Sequence, residues 1–209
     1  MKLTILGATG GTGQRLVREA IGAGHEVTAI VRRPDAITES SPQLRVVRGD
    51  LLDSQWTGEG IEGADAVLSA LGATSRGPTT LYSAGTAAVL KAMDNAGVRR
   101  ILAVTADPAR PTKDRRGEVR IIHPILWQFL RGTYEDMRRM EQLLAASDTD
   151  WTVFRPPRLT NGPATGKART AVGKYLPHGR VVSRADVAAA MLAAIDDPAT
   201  VRQAVAIAL

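Results

Sequence analysis

The chain contains no cysteine. Disulfides, thiolate nucleophiles and cysteine-based zinc sites are thereby excluded. Its three histidines, His25, His123 and His178, are scattered and have no paired acid cluster beside them, so no metal-ligand constellation assembles. No apolar run approaches the ~18 residues that read as a membrane-spanning helix. The chain opens on a strand pattern with no signal peptide ahead of it, which gives a cytoplasmic expectation with no membrane partner. No Gly-x-Ser-x-Gly elbow argues for a hydrolase. The remainder is ordinary for a globular protein: 209 residues, 44% hydrophobic and 23% charged, suit one domain with a full core.

The balance of 27 Lys and Arg against 21 Asp and Glu leaves a net charge of +6. Such a surface attracts either nucleic acid or a polyanionic small molecule such as a phosphorylated cofactor. The densest basic stretch, Lys113 to Arg120, contains Asp114 and Glu118 and no aromatic residue, so it reads as a solvated loop or lid and no nucleic-acid partner is expected.

The strongest signal is Lys2-Leu-Thr-Ile-Leu-Gly-Ala-Thr-Gly-Gly-Thr-Gly13. An apolar strand runs into Gly7, Gly10 and Gly13, and a helical face of Leu16, Val17, Ala20 and Ile21 follows. Strand, glycine turn and helix make a dinucleotide-binding start. Gly7 permits the tight turn, Gly10 lets a pyrophosphate approach the backbone, and Gly13 allows close helix–sheet packing. The helix start offers N–H groups to the phosphates, and Thr9 and Thr12 add hydroxyls.

Strand patterns recur at 2–6, 26–31, 44–48, 65–70, 99–105 and 150–155, with helical patterns at 12–23, 79–97 and 132–147. This alternation predicts an α/β fold, a Rossmann-type doubly wound parallel sheet. Gly22, Gly24 and Gly97 sit where helix C-caps belong. After the core 1–155, residues 156–209 change character. Pro156-Pro157 interrupts regular structure, 164–182 reads as irregular with one or two short strands, Ser183-Arg-Ala-Asp186 opens a helix to 196 with a capping-box-like signature, and 205–209 reads as a last strand. This third is expected to form a small substrate-pocket lobe of the single domain 1–209.

The second strand ends in Arg32-Arg33, with no acid at its tip. Guanidinium groups there suit a 2′-phosphate and favour NADP(H) over NAD(H), or are solvated surface arginines. Asp50, after the third strand, is placed either to accept from the adenine amino group or to cap the next turn. Ser69-Ala-Leu-Gly72 ends the fourth strand, where a small residue lets a ribose lie against the backbone.

The run Gly7 to Gly13, the tip Val31-Arg-Arg-Pro34, Gly49-Asp50, the segment Asp65 to Gly72 and Trp151-Thr-Val-Phe-Arg-Pro-Pro157 recur in an order that resembles the atypical short-chain dehydrogenase/reductases of the NAD(P)H-binding, NmrA-like type. Within these the likeness is greatest to biliverdin-IX-beta reductase/flavin reductase. The resemblance implies that Gly7, Thr9, Gly10, Gly11 and Thr12 hold a pyrophosphate and that Arg32, beside Arg33, meets a 2′-phosphate. It places adenine on Asp50 and Leu51, ribose on Leu71 and Gly72, and nicotinamide at Thr105, Pro156 and Pro157.

Three positions depart from that pattern or leave a role open. The Tyr-x-x-x-Lys pair of standard short-chain dehydrogenases is here Tyr134-Glu-Asp-Met-Arg138, and arginine cannot share protons at neutral pH. Ala106 stands where biliverdin-IX-beta reductases carry serine, leaving Thr105 as the nearest hydroxyl. Arg158 either stabilises developing charge in the pocket or is a solvated loop arginine. Thr105, Tyr134 and Arg158 are thus the catalytic candidates. His123, in an apolar stretch read as a lid, and His178, in a Pro-His-Gly turn, read as structural. The expected function is an NADPH-dependent reductase acting on a flat conjugated small molecule, with a pocket under 107–131 and 156–180. A dinucleotide-sensing regulator is the alternative, and a sugar-nucleotide epimerase the weaker one. Either a monomer or a homodimer paired through 79–97 and 132–147 fits.

Overall fold

The structure is a computed structural model that describes residues 1–73, 78–107 and 119–209, with only the backbone course for 119–130. The side chains of the basic stretch from Lys113 and of His123 therefore lie outside the described residues.

Six strands carry the core: β1 (Lys2–Leu6), β2 (Glu26–Val31), β3 (Leu44–Arg48), β4 (Ala66–Ser69), β5 (Arg100–Val104) and β6 (Asp150–Arg155). They alternate with α1 (Gly11–Gly22), α2 (Leu81–Ala96) and α3 (Val119–Ala146). The last third adds β7 (Arg158–Thr160), β8 (Arg169–Val172), β9 (Val181–Ser183), α4 (Arg184–Ala193) and β10 (Gln203–Ala208). The sheet order is β3-β2-β1-β4-β5-β6-β10-β8, parallel except for the antiparallel β8–β10 pair, and β7 and β9 form a separate parallel pair.

The sheet is buried on both faces, which is why its central strands are near-continuous runs of Val, Ile and Leu. On one face Leu16, Val17 and Ala20 of α1 and Val187, Ala188 and Met191 of α4 pack over Leu3, Ile5 and Leu102. On the other, Val89 and Met93 of α2 and Met140 and Leu144 of α3 pack over Val67, Ile101 and Val153. The chain leaves β1 toward β2 and β3, then crosses to β4 and β5. The reversal between β1 and β4 leaves a crevice at their carboxyl ends, the place where open α/β sheets bind ligands.

Several expectations are corrected. The helix expected over 132–147 begins at Val119, so the stretch around His123, read as a lid, is the first part of α3. Gly22 is the last helical residue of α1 and Ala23 its cap, whereas Gly24, in the left-handed region at φ 83° and donating to Ile21 O at 2.9 Å, ends α1 as expected, and Gly97 caps α2 at φ 69°. The last strand expected at 205–209 is β10 (Gln203–Ala208), and with β8 it extends the main sheet edgewise. Beneath the amino end of β5, Arg100 donates to the carbonyls of Ala194 and Ile195 at 2.5 and 2.9 Å, closing the end of α4 onto the sheet. Burial depresses the pKa of this guanidinium despite the nearby Asp150, Asp196 and Asp197.

Candidate functional site

Gly7 turns the chain off β1 at φ 71°, a conformation that costs glycine nothing. A Cβ at this position would stand 2.4 Å from the Ala70 carbonyl oxygen, so the two halves of the sheet meet at the switch point with no room for a side chain. Gly10 N–H closes the turn onto Gly7 O at 2.9 Å. A Cβ on Gly13 would lie 2.1 Å from Gly7 O, so α1 sits directly on the turn. Thr9, Gly10 and Gly11 are exposed above it, and the N-cap, Gly10, offers no side-chain acceptor to the first-turn N–H groups. This bare, donor-rich cradle fits a dinucleotide pyrophosphate. Thr12 is buried.

Arg32 and Arg33 are exposed at the tip of β2, and among the described residues neither forms an ion pair. Asp35 sits in the short 3-10 turn Pro34–Ala36 that follows. Asp50 caps its own turn, its Oδ1 accepting from Leu52 N–H at 3.1 Å, while Oδ2 accepts no hydrogen bond among the described residues. Leu51 is buried beside it. Past β4, Gly72 is exposed and a Cβ there would touch nothing within 4 Å among the described residues, which leaves space for a sugar. The adjoining Ala73 N–H is held at 3.0 Å by the Tyr82 hydroxyl, and Leu71 is half-buried. The helix that carries Tyr82 is capped from elsewhere. Thr80 gives α2 no side-chain cap, and Asp136 of α3 accepts instead from Tyr82 N–H at 2.9 Å and from the Ser83 hydroxyl. Asp136 is fully buried.

The three catalytic candidates take three different positions. Thr105 follows β5, its N–H donating to Phe154 O at 2.9 Å, and its hydroxyl donates to Glu141 of α3 at 2.9 Å. Glu141 is in turn held by Arg155, at 2.6 Å between Nη2 and Oε2, in a pair whose side chains are 18% and 13% exposed. Tyr134 is buried in α3, and burial first, then neighbouring Tyr82, pushes its phenol up. That is opposite to the activation a lysine neighbour gives. Arg158 is exposed on β7 without an ion pair among the described residues. Asp107 N–H donates to Pro156 O at 2.8 Å, joining the ends of β5 and β6 where the nicotinamide is expected, and Pro157 is half-buried beside them.

Sequence reasoning missed a bracket on the glycine loop. Arg15 donates to Gly11 O at 2.8 Å and to Asn161 O at 3.0 Å, and Arg184 donates to Asn161 Oδ1 at 2.8 Å. The Arg15–Asn161 bond alone spans 146 positions, so no local spacing announces the bracket. The helix start at Ser183 was legible: Ser183 Oγ accepts from Asp186 N–H at 2.9 Å and donates to its carboxylate at 2.7 Å. Asp186 also anchors Thr165 and Gly166.

Comparison with known proteins agrees with this architecture. A sugar epimerase of Bacillus subtilis, YhfK, itself uncharacterized, is 28% identical over 98% of this chain and 92% of its own. The anaerobillin reductase ChuY of Escherichia coli O157:H7 superposes with a TM-score of 0.80 at 26% identity, over 100% of this chain and 97% of that one. A short-chain dehydrogenase/reductase of Veillonella parvula, solved in complex with NADP, has a TM-score of 0.80 at 18% identity over 100% and 94% of the two chains, a likeness of fold alone. The model of the NAD(P)H-binding family matches residues 7–198, and the chain belongs to that family.

Proposed function

We propose that the chain is an NADPH-dependent reductase whose acceptor is a flat conjugated molecule such as a flavin, a quinone or a pigment. The observation that carries this reading is the state of two hydroxyls, on Thr105 after β5 and on Tyr134 in α3. The Thr105 hydroxyl is turned to Glu141, and Tyr134 is buried with its pKa raised. Neither is set to exchange a proton with an alcohol or a carbonyl. A conjugated ring needs less from the protein, because it takes a hydride into its π-system and its proton from water. A bound nicotinamide would supply the hydride. Gly7 to Gly13 anchor the phosphates, Gly72 leaves room for a ribose, and Pro156 and Pro157 form a rigid wall at the reacting end.

Preference for NADPH rests on Arg32 and Arg33, two exposed guanidinium groups with no carboxylate competing for them among the described residues. The anaerobillin reductase activity in the name of ChuY accords with a pigment-like acceptor. Epimerase chemistry, named for YhfK, is disfavoured because Arg138 replaces the lysine that would activate Tyr134. The same lack of a poised proton donor favours a second reading, a dinucleotide-sensing regulator.

The test is NADPH oxidation against FMN, riboflavin and a quinone, with NADH alongside. Turnover that prefers NADPH supports the reductase. Tight dinucleotide binding without turnover on any acceptor refutes it in favour of the sensor.

A further inference from the structure

Arg184, the first residue of α4, lies across the glycine loop. Its Cδ and Nε stand 2.8 and 2.9 Å from the point where a Cβ on Gly11 would be. The space left by the missing side chain of Gly11 is thus the seat of the arginine, and a Cβ there would push the arginine aside. One N–H of the guanidinium donates to Asn161 Oδ1 at 2.8 Å, and it has no second acceptor among the described residues. The nearest acid along the chain, Asp186, has its oxygens engaged by Ser183, Thr165 and Gly166. Arg184 forms no ion pair among the described residues, although it is half-buried. A half-buried arginine with spare donors beside exposed Thr9, Gly10 and Gly11 is oriented for an anion the chain does not itself contain.

We infer that Arg184, held by Asn161 in the space left by Gly11, is a second cationic ligand of the dinucleotide pyrophosphate, reaching it from the α4 side. This rests on the cofactor-binding reading above and assigns the residue to the diphosphate rather than to the 2′-phosphate. Arg15 does the framing: its two bonds, to Gly11 O and Asn161 O, fix the loop and the Asn161 segment against each other. The structure thus gives the chain two arginine positions with separate tasks, Arg32 for the 2′-phosphate and Arg184 for the group common to both dinucleotides.

The test is equilibrium binding of NADPH, NADH and ADP-ribose to the parent, Arg184→Ala, Arg184→Lys and Arg32→Ala, with thermal melting of each protein alone. Arg184→Ala should weaken all three ligands by the same factor, about tenfold or more, with a smaller salt dependence, and Arg184→Lys should recover part of the loss. Arg32→Ala should weaken NADPH selectively. Gly11→Ala, which displaces the guanidinium, should reproduce the loss. Unchanged binding of all three ligands by Arg184→Ala overturns the inference and leaves the cofactor reading standing. A loss for NADH that spares ADP-ribose also overturns it, by moving Arg184 to the nicotinamide end. A parent that binds none of the three overturns the cofactor reading itself, and the inference with it.

Discussion

Replacing Gly13 by alanine isolates the contact on which the cofactor loop is built. The added Cβ would stand 2.1 Å from Gly7 O, 2.7 Å from Gly7 C and 2.8 Å from the Ala8 Cα, all backbone atoms that no rotamer change can move. Ordinary van der Waals contact begins near ~3.4 Å, so α1 must lift by over an ångström or the Gly7 turn must distort. Overpacking by one or two methylenes costs about 1–3 kcal/mol, and this backbone overlap belongs at or above the upper end. Alanine regains about 1 kcal/mol of helix propensity. The net loss is then at least ~2 kcal/mol, or roughly 4–8 °C in Tm for a chain of this size. Gly22 supplies the control in the same helix. A Cβ there meets nothing within 4 Å, so Gly22→Ala should gain about 0.5–1 kcal/mol. Urea titration with a common m-value measures both, and dinucleotide titration should show binding lost only in Gly13→Ala. Equal stability and equal binding of the two variants would refute the argument.

The other expectations are more compact. Arg32→Ala should cost about tenfold in NADPH affinity and under about twofold for NADH, read by fluorescence titration; parallel losses would remove Arg32 from the 2′-phosphate. Tyr134→Phe should leave kcat for flavin reduction within about twofold, since a buried phenol with a raised pKa is not the proton donor; a hundredfold fall would restore it to the chemistry. Burial opposes ionisation of Asp186, but bonds from Ser183, Thr165 and Gly166 outweigh it and hold the carboxyl below its usual value. The native state therefore binds that proton less readily than the unfolded chain, and the stability Asp186 contributes is full above about pH 4 and drains away as pH falls further. Glu19, raised by burial and by Asp186, acts in the opposite sense. In acid titration of stability Asp186→Asn should flatten the curve below about pH 4, and an unchanged slope would contradict the assignment.

Local signals were read well from the sequence. The strands 2–6, 26–31, 44–48 and 150–155 stand where their apolar residues placed them; for the central ones, buried on both faces, the apolar run suffices, while β3 at the edge is mostly exposed. The glycine loop and the Ser183 cap were legible because their partners lie within a few residues. The early start of α3 was not, since the apolar stretch around Pro124 carries no clean helical period. Nor was the edgewise addition of β8, whose pairing with β10 is decided by contact across the fold. Two polar devices at the candidate site escaped for the same reason. Asp136 caps a helix that begins 55 residues earlier, and Arg184 meets a loop at the other end of the chain. Such pairings leave no trace in spacing, only an acid on a helix or an arginine beside a cap.

The Asp136 cap has a mechanical consequence. Asp136 grips the first turn of α2, and Tyr82 in that turn grips Ala73 beside the open space at Gly72. The wall against which a ribose would lie is thereby hung from α3, through two hydrogen bonds and one aromatic ring. A molecule that shifts α3 moves that wall, and linkage requires the dinucleotide to alter the affinity of the same molecule by an equal factor. Acceptor and cofactor would then bind as coupled ligands, and Tyr82→Phe, which cuts the last bond of the chain, should reduce the coupling while leaving each ligand its own site.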